Sequence, residues 1–216
     1  VKNTEMKVGI LNYGAGNFGS VRRAIEALKI DPIEVSDANA LKHVERLIFP
    51  GVGSAQQAMA ELKRRDLVEA LQGFAHSGRP LLGICVGMQV LGEWSEEGDT
   101  VCLGLLPFKV EKFQCDDPIP HMGWNSVAWS REHPSQEAAT VSIAADANFY
   151  FVHSYAAFVE KDEKKSSHIL GVSSYGGQDF CALVASKNIW GAQCHIEKSG
   201  RIGLRLIENF LCWEDV

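Results

Sequence analysis

The stretch from Pro80 to Gly92, Pro-Leu-Leu-Gly-Ile-Cys-Val-Gly-Met-Gln-Val-Leu-Gly, constrains the fold of this chain more than any other. Its first half reads as a short buried strand. Beyond it, Val86, Val90 and Leu91 recur at helical spacing. At the junction stands Gly83-Ile84-Cys85-Val86-Gly87, the thiol form of the Gly-x-Ser-x-Gly nucleophile elbow. Such an elbow is a sharp strand-to-helix turn that lifts one side chain clear of a sheet. Glycines flank it because a side chain there would collide with the tight backbone. The free amides and positive dipole end of the following helix favour thiolate over thiol at Cys85. The competing reading is a buried structural cysteine, and the paired glycines favour the nucleophile. A nucleophile of this kind needs a histidine base with an acid behind it.

The rest of the chain supplies a setting for that elbow. Met6–Leu11 reads as a strand, followed by a Gly-rich turn and a helix from about Phe18 to Lys29. Short strands follow at Ile33–Val35 and Arg46–Pro50. A long helix capped by Ser54 then runs to about His76, with Met59, Leu62, Leu67, Val68 and Leu71 facing the core. Strands alternating with helices imply a parallel sheet covered on both faces. After Trp94 the pattern changes, and residues 96–146 read as hairpins and loops broken by Gly and Pro. Phe149–Ala156 reads as one strand. Ile169–Tyr175, Cys181–Ser186 and Trp190–Cys194 read as three more, antiparallel, before a last helix from Arg201 to Trp213 with Ile202, Leu206 and Phe210 on one face. The expected class is therefore α/β, with an open mixed, mostly parallel sheet flanked by helices and additional antiparallel strands in the C-terminal half. Residues 1–216 are expected to form a single domain, with 1–5 as additions before a natural start at Met6.

Composition narrows the function. A net charge of −6 argues against a nucleic-acid binder. No apolar run is long enough to span a membrane, and the first residues lack the regions of a signal peptide, so a cytoplasmic protein is expected. The six cysteines, at 85, 102, 115, 181, 194 and 212, form no C-x-x-C pair and no zinc-like cluster. Reduced thiols are expected, five of them as small core hydrophobes, with no metal site and no cofactor.

The base is sought among the histidines. His195 ends the last strand, and in an extended chain residues i and i+2 share a face, so Glu197 would lie beside it. That carboxylate would hold the imidazole in the tautomer that takes a proton from Cys85. His121 and His153 compete, but only His195 has a carboxylate at i+2. His43, His76, His133 and His168 read as solvated. Pro50-Gly51-Val52-Gly53 follows a strand next to the elbow, so Val52 can offer its amide to an oxyanion with that of Val86. A rival signal is Gly14-Ala-Gly16-Asn-Phe-Gly19 with Asp37 further on, which fits the dinucleotide fingerprint. A dinucleotide-binding protein is thus the alternative from a different class, although a plain Gly-rich turn that packs closely without ligand is the preferred account of the glycines.

Taken together, Tyr13-Gly-Ala-Gly-Asn17 with Ser20-Val21, Pro50–Gly53, Gly83–Gln89, Pro120-His-Met-Gly-Trp-Asn125, Tyr150–Tyr155 and His195-x-Glu197-Lys198-Ser199 resemble the class I, cysteine-triad glutamine amidotransferases. The likeness is strongest to the branch that serves histidine biosynthesis, and it covers the chain from Met6. The resemblance implies hydrolysis of L-glutamine to glutamate and ammonia through a thioester on Cys85, with His195 and Glu197 completing the triad. It implies an oxyanion hole from Val52 and Val86, and glutamine held by Gln89, Ser154 and Tyr155. It further implies ammonia transfer, within a heterodimer, to a (β/α)8-barrel cyclase that makes imidazole glycerol phosphate. His121, Met122, Gly123, Trp124, Asn125, Tyr150 and Lys198 match positions at or near that contact. A paralogue feeding another acceptor, for example in amino-sugar synthesis, fits the same motifs. Two departures stand out from the usual Gln-Phe-His-Pro-Glu: Cys194, expected to replace Phe in the core, and Ile196, which removes a stiffening proline.

Overall fold

The computed structural model describes residues 6–14, 16–130, 133–159 and 167–213. Residues 1–5, read above as additions, lie outside the described residues. The first half builds as alternating units: β1 (Val8–Leu11), α1 (Phe18–Ala27), β2 (Ile33–Val35), β3 (Arg46–Gly51), α2 (Ala55–Arg64), α3 (Val68–His76) and β4 (Leu81–Cys85). Every residue of β1 and β4 is buried, as a strand covered by helices on both faces requires.

The helix expected from Ser54 to His76 is in fact two. Ser54 Oγ does accept the Gln57 amide at 3.1 Å and starts α2. The helix then closes on Asp66, at φ 54°, with Leu67 N donating to Leu62 O at 2.9 Å and Asp66 N to Lys63 O at 3.1 Å. That is a Schellman stop with aspartate in the left-handed position usually held by glycine. The break turns the chain so that Leu67 and Leu71 are both buried.

The remaining elements are α4 (Val86–Gln89), β5 (Trp94–Ser95), β6 (Thr100–Val101), β7 (Lys109–Lys112), β8 (His121–Ser126), β9 (Ala128–Trp129) and α5 (Gln136–Thr140). They are followed by β10 (Asn148–His153), β11 (Tyr155–Ala156), β12 (Ile169–Tyr175), β13 (Gln178–Ser186), β14 (Ile189–Ala192) and α6 (Gly200–Cys212). The central sheet has eight strands in the order β2-β1-β3-β4-β14-β13-β12-β9. It is parallel from β2 through β14 and antiparallel from there to β9. The last strand is thus antiparallel to β13, as expected, but parallel to β4. The stretch Phe149–Ala156 is not one strand. It breaks at Ser154, leaving β10 paired with β8 and handing β11 to a separate sheet beside β7.

Some burial expectations need correction. Cys102, Cys181 and Cys194 are core residues, but Cys115 is half-buried and Cys212 exposed, so the core takes three of the five. None of the six is bridged. His133 and His168 are buried rather than solvated, and His133 Nε2 lies 2.9 Å from Ala185 O. Among the described residues no helix is long and apolar enough to cross a membrane, and no group of side chains is arranged to hold a metal ion.

Candidate active site

Cys85 is the last residue of β4, a strand paired on one side with β3 and on the other with β14. Its backbone, at φ 54° and ψ −114°, is outside the regions that L-residues favour and costs on the order of 1–3 kcal/mol. Packing enforces it. A Cβ at Gly83 would lie 2.7 Å from Gly87 O, and one at Gly87 would strike the Phe49 carbonyl. The elbow therefore admits no larger residue at either flank. The helix behind it is one turn long, ending at Gln89, which leaves little of the dipole expected at Cys85.

His195 follows β14, whose Ala192 is level with Ile84 on β4, and this register brings base and nucleophile together. Backbone bonds fix its place. His195 N donates to Tyr150 O at 2.8 Å, and its carbonyl accepts Ser199 Oγ at 2.8 Å. His195 Nδ1 is 2.8 Å from Glu197 Oε1, with both side chains buried. The pairing does not come from extended chain, however. Residues 196–198 form a 3-10 turn, with His195 at its start, and that turn curls Glu197 back onto the ring. Glu197 Oε1 also accepts Asn17 Nδ2 at 2.9 Å, while Oε2 is buried without a partner. Burial alone would lower the His195 pKa. Its hydrogen bonds to Cys85 and Glu197, together with their negative charges, outweigh burial and hold it at about 10. The imidazolium is thereby favoured.

Cys85 and His195 open on a cavity of about 350 Å³ that is also lined by Val52, Gly53, Val86, Gln89, Ser154 and Tyr155. The structure thus brings the triad, oxyanion and glutamine-holding candidates to one place. Two further residues belong there that sequence reasoning missed. Glu97 lines the cavity, its Oε2 accepting the Ala55 amide at 2.8 Å, and burial raises its pKa. In sequence it stands in Glu96-Glu97-Gly98, indistinguishable from a solvated loop. Gln193 Oε1 accepts Gln89 Nε2 at 3.0 Å, and Gln193 Nε2 reaches the Cys85 sulfur at 3.8 Å. Its signal was available, as the glutamine two residues before the base.

The candidate partner residues divide. Met122 and Trp124 are exposed, at 62% and 59%, and the half-buried Tyr150 ring lies 6.0 Å from Trp124. Gly123 and Asn125 are half-buried, and Lys198 is exposed at the cavity rim. His121 does not join that face. It is buried, because β8 alternates and its first side chain points inward among aromatic rings. Nor are the groups of the Gly14–Gly19 turn left for a dinucleotide. The Asn17 amide is spent on Glu197, the Arg65 guanidinium lies against Gly14, and Asp37 Oδ1 takes the Ala40 amide at 2.8 Å.

A strained cysteine between paired strands, a histidine just beyond the neighbouring strand and a carboxylate behind it have the arrangement of a cysteine triad, and the profile of the glutamine amidotransferase class-I family matches residues 10–212. The chain belongs to that family. Within it, the chain is 45% identical over 208 residues, 95% of its length and 94% of the relative's, to the imidazole glycerol phosphate synthase subunit HisH of Desulfitobacterium hafniense. It is 40% identical over 219 residues to the subunit of the same name from Chromobacterium violaceum, covering 97% of this chain and 99% of that one. Among solved structures, PurLQS from Thermotoga maritima superposes with a TM-score of 0.74 at 19% identity, over 95% of this chain and 97% of that one. That likeness speaks for the fold.

Proposed function

We propose that this chain is the glutaminase subunit of an imidazole glycerol phosphate synthase, acting as one domain in the cytoplasm beside a barrel cyclase. The observation that carries the reading is Cys85, held at φ 54° on a cavity shared with His195, whose Nδ1 lies 2.8 Å from Glu197 Oε1. The Cys85 thiolate attacks the glutamine carboxamide carbon. The resulting oxyanion is met by the amides of Val52 and Val86. His195 gives its proton to the departing ammonia, then takes one from the water that cleaves the thioester. Glu197 keeps the ring oriented throughout. Gln89, Ser154 and Tyr155 wall the glutamine, and the Glu97 carboxylate suits its α-ammonium group. The names of the HisH relatives support the choice of acceptor, and the exposed Met122–Trp124 face with Tyr150 and Lys198 offers the docking surface.

The Pro50–Gly53 turn supplies the control. Gly51 is pinned, since a Cβ there would strike the backbone of Gly87. Gly53, at φ 89°, has only the Gln57 side chain near it, 3.1 Å from where a Cβ would stand. The Gly51–Val52 peptide, with a glycine at each end of the turn, can therefore rotate its N–H away from the cavity while the strand before it stays fixed. With the carbonyl inward, one oxyanion donor is missing, worth on the order of 100- to 1,000-fold in rate. The isolated chain is expected to be nearly idle, and the cyclase with its ribotide ligand should raise kcat by about that factor with little change in glutamine affinity. A steady-state glutaminase assay with and without the cyclase tests this. Full activity alone would overturn both the control and the choice of acceptor.

A further inference from the structure

Two buried histidines, His121 and His153, take no part in the chemistry above. They face each other across the antiparallel pair of β8 and β10, with His121 Nδ1 3.1 Å from His153 Nε2. Both are set in an aromatic box. The His121 ring is sandwiched between Tyr175 at 4.2 Å and Phe151 at 5.1 Å, and His153 packs on Phe180 at 5.0 Å and Phe113 at 5.3 Å. Burial in that box pushes the His153 pKa down to about 3 and lowers that of His121, so both rings are neutral.

Neutrality fixes every proton along the line. The Tyr155 carbonyl lies 2.8 Å from His153 Nδ1 and can only accept, so Nδ1 carries the hydrogen. His153 Nε2 is then a lone pair, and His121 Nδ1 must donate to it. His121 Nε2 is in turn an acceptor, facing Asn125 Nδ2 at 3.4 Å. The second Asn125 amide proton goes to Ser174 O at 2.9 Å. The line does not stop at Tyr155. Its carbonyl also accepts Gln89 Nε2 at 2.9 Å, and Gln89 continues through Gln193 to Cys85. His153, Ser154 and Tyr155 are wall residues of the cavity.

We propose that His121 and His153 are positioning residues, forming a one-way hydrogen-bond chain that sets the 153–155 wall of the glutamine pocket from the β8 strand. The chain break at Ser154 makes such a device necessary. There the backbone leaves one sheet before entering the next, and no ladder holds the Tyr155 carbonyl from the β10 side. Asn125 lies on the strand whose outer face carries Met122 and Trp124, so whatever seats on that face shares a rigid polar path with the pocket. This rests on the glutaminase reading of the cavity.

The test uses the full chain with the cyclase subunit and its ribotide ligand, and measures KM and kcat for glutamine. His153→Phe keeps the aromatic packing but removes both bonds, and should raise KM at least tenfold with less than a threefold fall in kcat. His153→Asn places an amide nitrogen where Nδ1 stands, keeping the Tyr155 bond but not the His121 one, and should give a KM between those of wild type and His153→Phe. Nitrogen NMR of the uncomplexed wild-type chain should show both rings as neutral Nδ1–H tautomers from pH 6 to 8. Equal losses in the two variants, a fall in kcat at unchanged KM, or an Nε2–H tautomer at His153 would overturn the proposal. Wild-type protein without glutaminase activity would overturn the glutaminase reading instead, and the nitrogen spectrum would still decide the direction of the chain.

Discussion

The elbow around Cys85 and the turn from His195 to Glu197 are the two halves of the proposed triad but are held in place by different forces. At the elbow the backbone is the constraint, with glycines at 51, 83 and 87 stacked where no Cβ fits. At the His-Glu turn the constraint is mostly a set of hydrogen bonds: Tyr150 O and Ser199 Oγ on the His195 backbone, and Asn17 on the Glu197 carboxylate. Only its far side is closed by backbone contact, where Gly203 sits beneath the Ile196 carbonyl. Steric constraint fails all at once. Hydrogen-bonded constraint fails by degrees.

The largest effect should therefore come from the elbow. Gly87→Ala must displace β3, because the new methyl group meets the Phe49 carbonyl, and should cost about 4 kcal/mol or more, read as a lower denaturation midpoint. A midpoint within about 1 kcal/mol of wild type would break the contrast at its strong end.

Cys85→Ala should abolish glutamine hydrolysis and leave the fold intact. It should also lower the His195 pKa from about 10, since both the hydrogen bond and the charge of Cys85 are removed. The sign follows from linkage. The folded protein holds a proton that the unfolded chain releases near pH 6.5, so this stabilisation is complete below 6.5 and is lost as pH rises to about 10. In Cys85→Ala that alkaline loss should shrink, and carbon NMR of the His195 ring should titrate lower. An unchanged titration would mean that Glu197 alone sets the proton.

At the His-Glu turn, losses should be graded. Glu197→Ala should slow turnover less than His195→Ala, since an orienting group is more dispensable than the proton carrier. Asn17→Ala removes one donor from Glu197 and should slow it by about tenfold, roughly 1.4 kcal/mol in the barrier, without altering the fold. Equal losses at Asn17 and Glu197 would make this turn as brittle as the elbow.

The smallest effect belongs to Ile196→Pro. Proline narrows the unfolded ensemble by about 0.4–1 kcal/mol but removes the amide that donates to Cys194 O at 3.1 Å, worth about 1 kcal/mol. The two nearly cancel, and turnover should change by less than about tenfold. A larger loss would show that the ring angle of His195 depends on residue 196 itself.

The same division explains what was legible in the sequence. Features dictated by sterics leave glycine in the sequence, so the elbow and the tight Pro50–Gly53 turn could be read directly, as the alternation of strands and helices allowed for the parallel half of the sheet. Features dictated by hydrogen bonds between distant segments leave ordinary polar residues. Asn17 looked like part of a turn, Glu97 like a loop carboxylate, and His121 and His153 like competitors for the role of base. The His195–Glu197 pair was identified through a period-two argument, whereas the chain achieves it with a 3-10 turn. The break at Asp66 was hidden because aspartate rarely ends a helix in this way, and the one at Ser154 because β10 and β11 together read as unbroken β-rich sequence.

The adjacency of β4 and β14 also has a consequence for how the protein comes into being. Gln193 and the Cys85 sulfur it touches are 108 residues apart in the sequence, yet their strands are neighbours in the sheet. A ribosome needs roughly ten seconds to make that much chain. During that interval β4 has only β3 beside it, and its other edge stands open to any passing strand. Cys85 is made early and stays without His195 beside it until β14 closes the edge. The completion of the sheet and the first capacity to cleave glutamine are thus a single event in the life of the nascent chain.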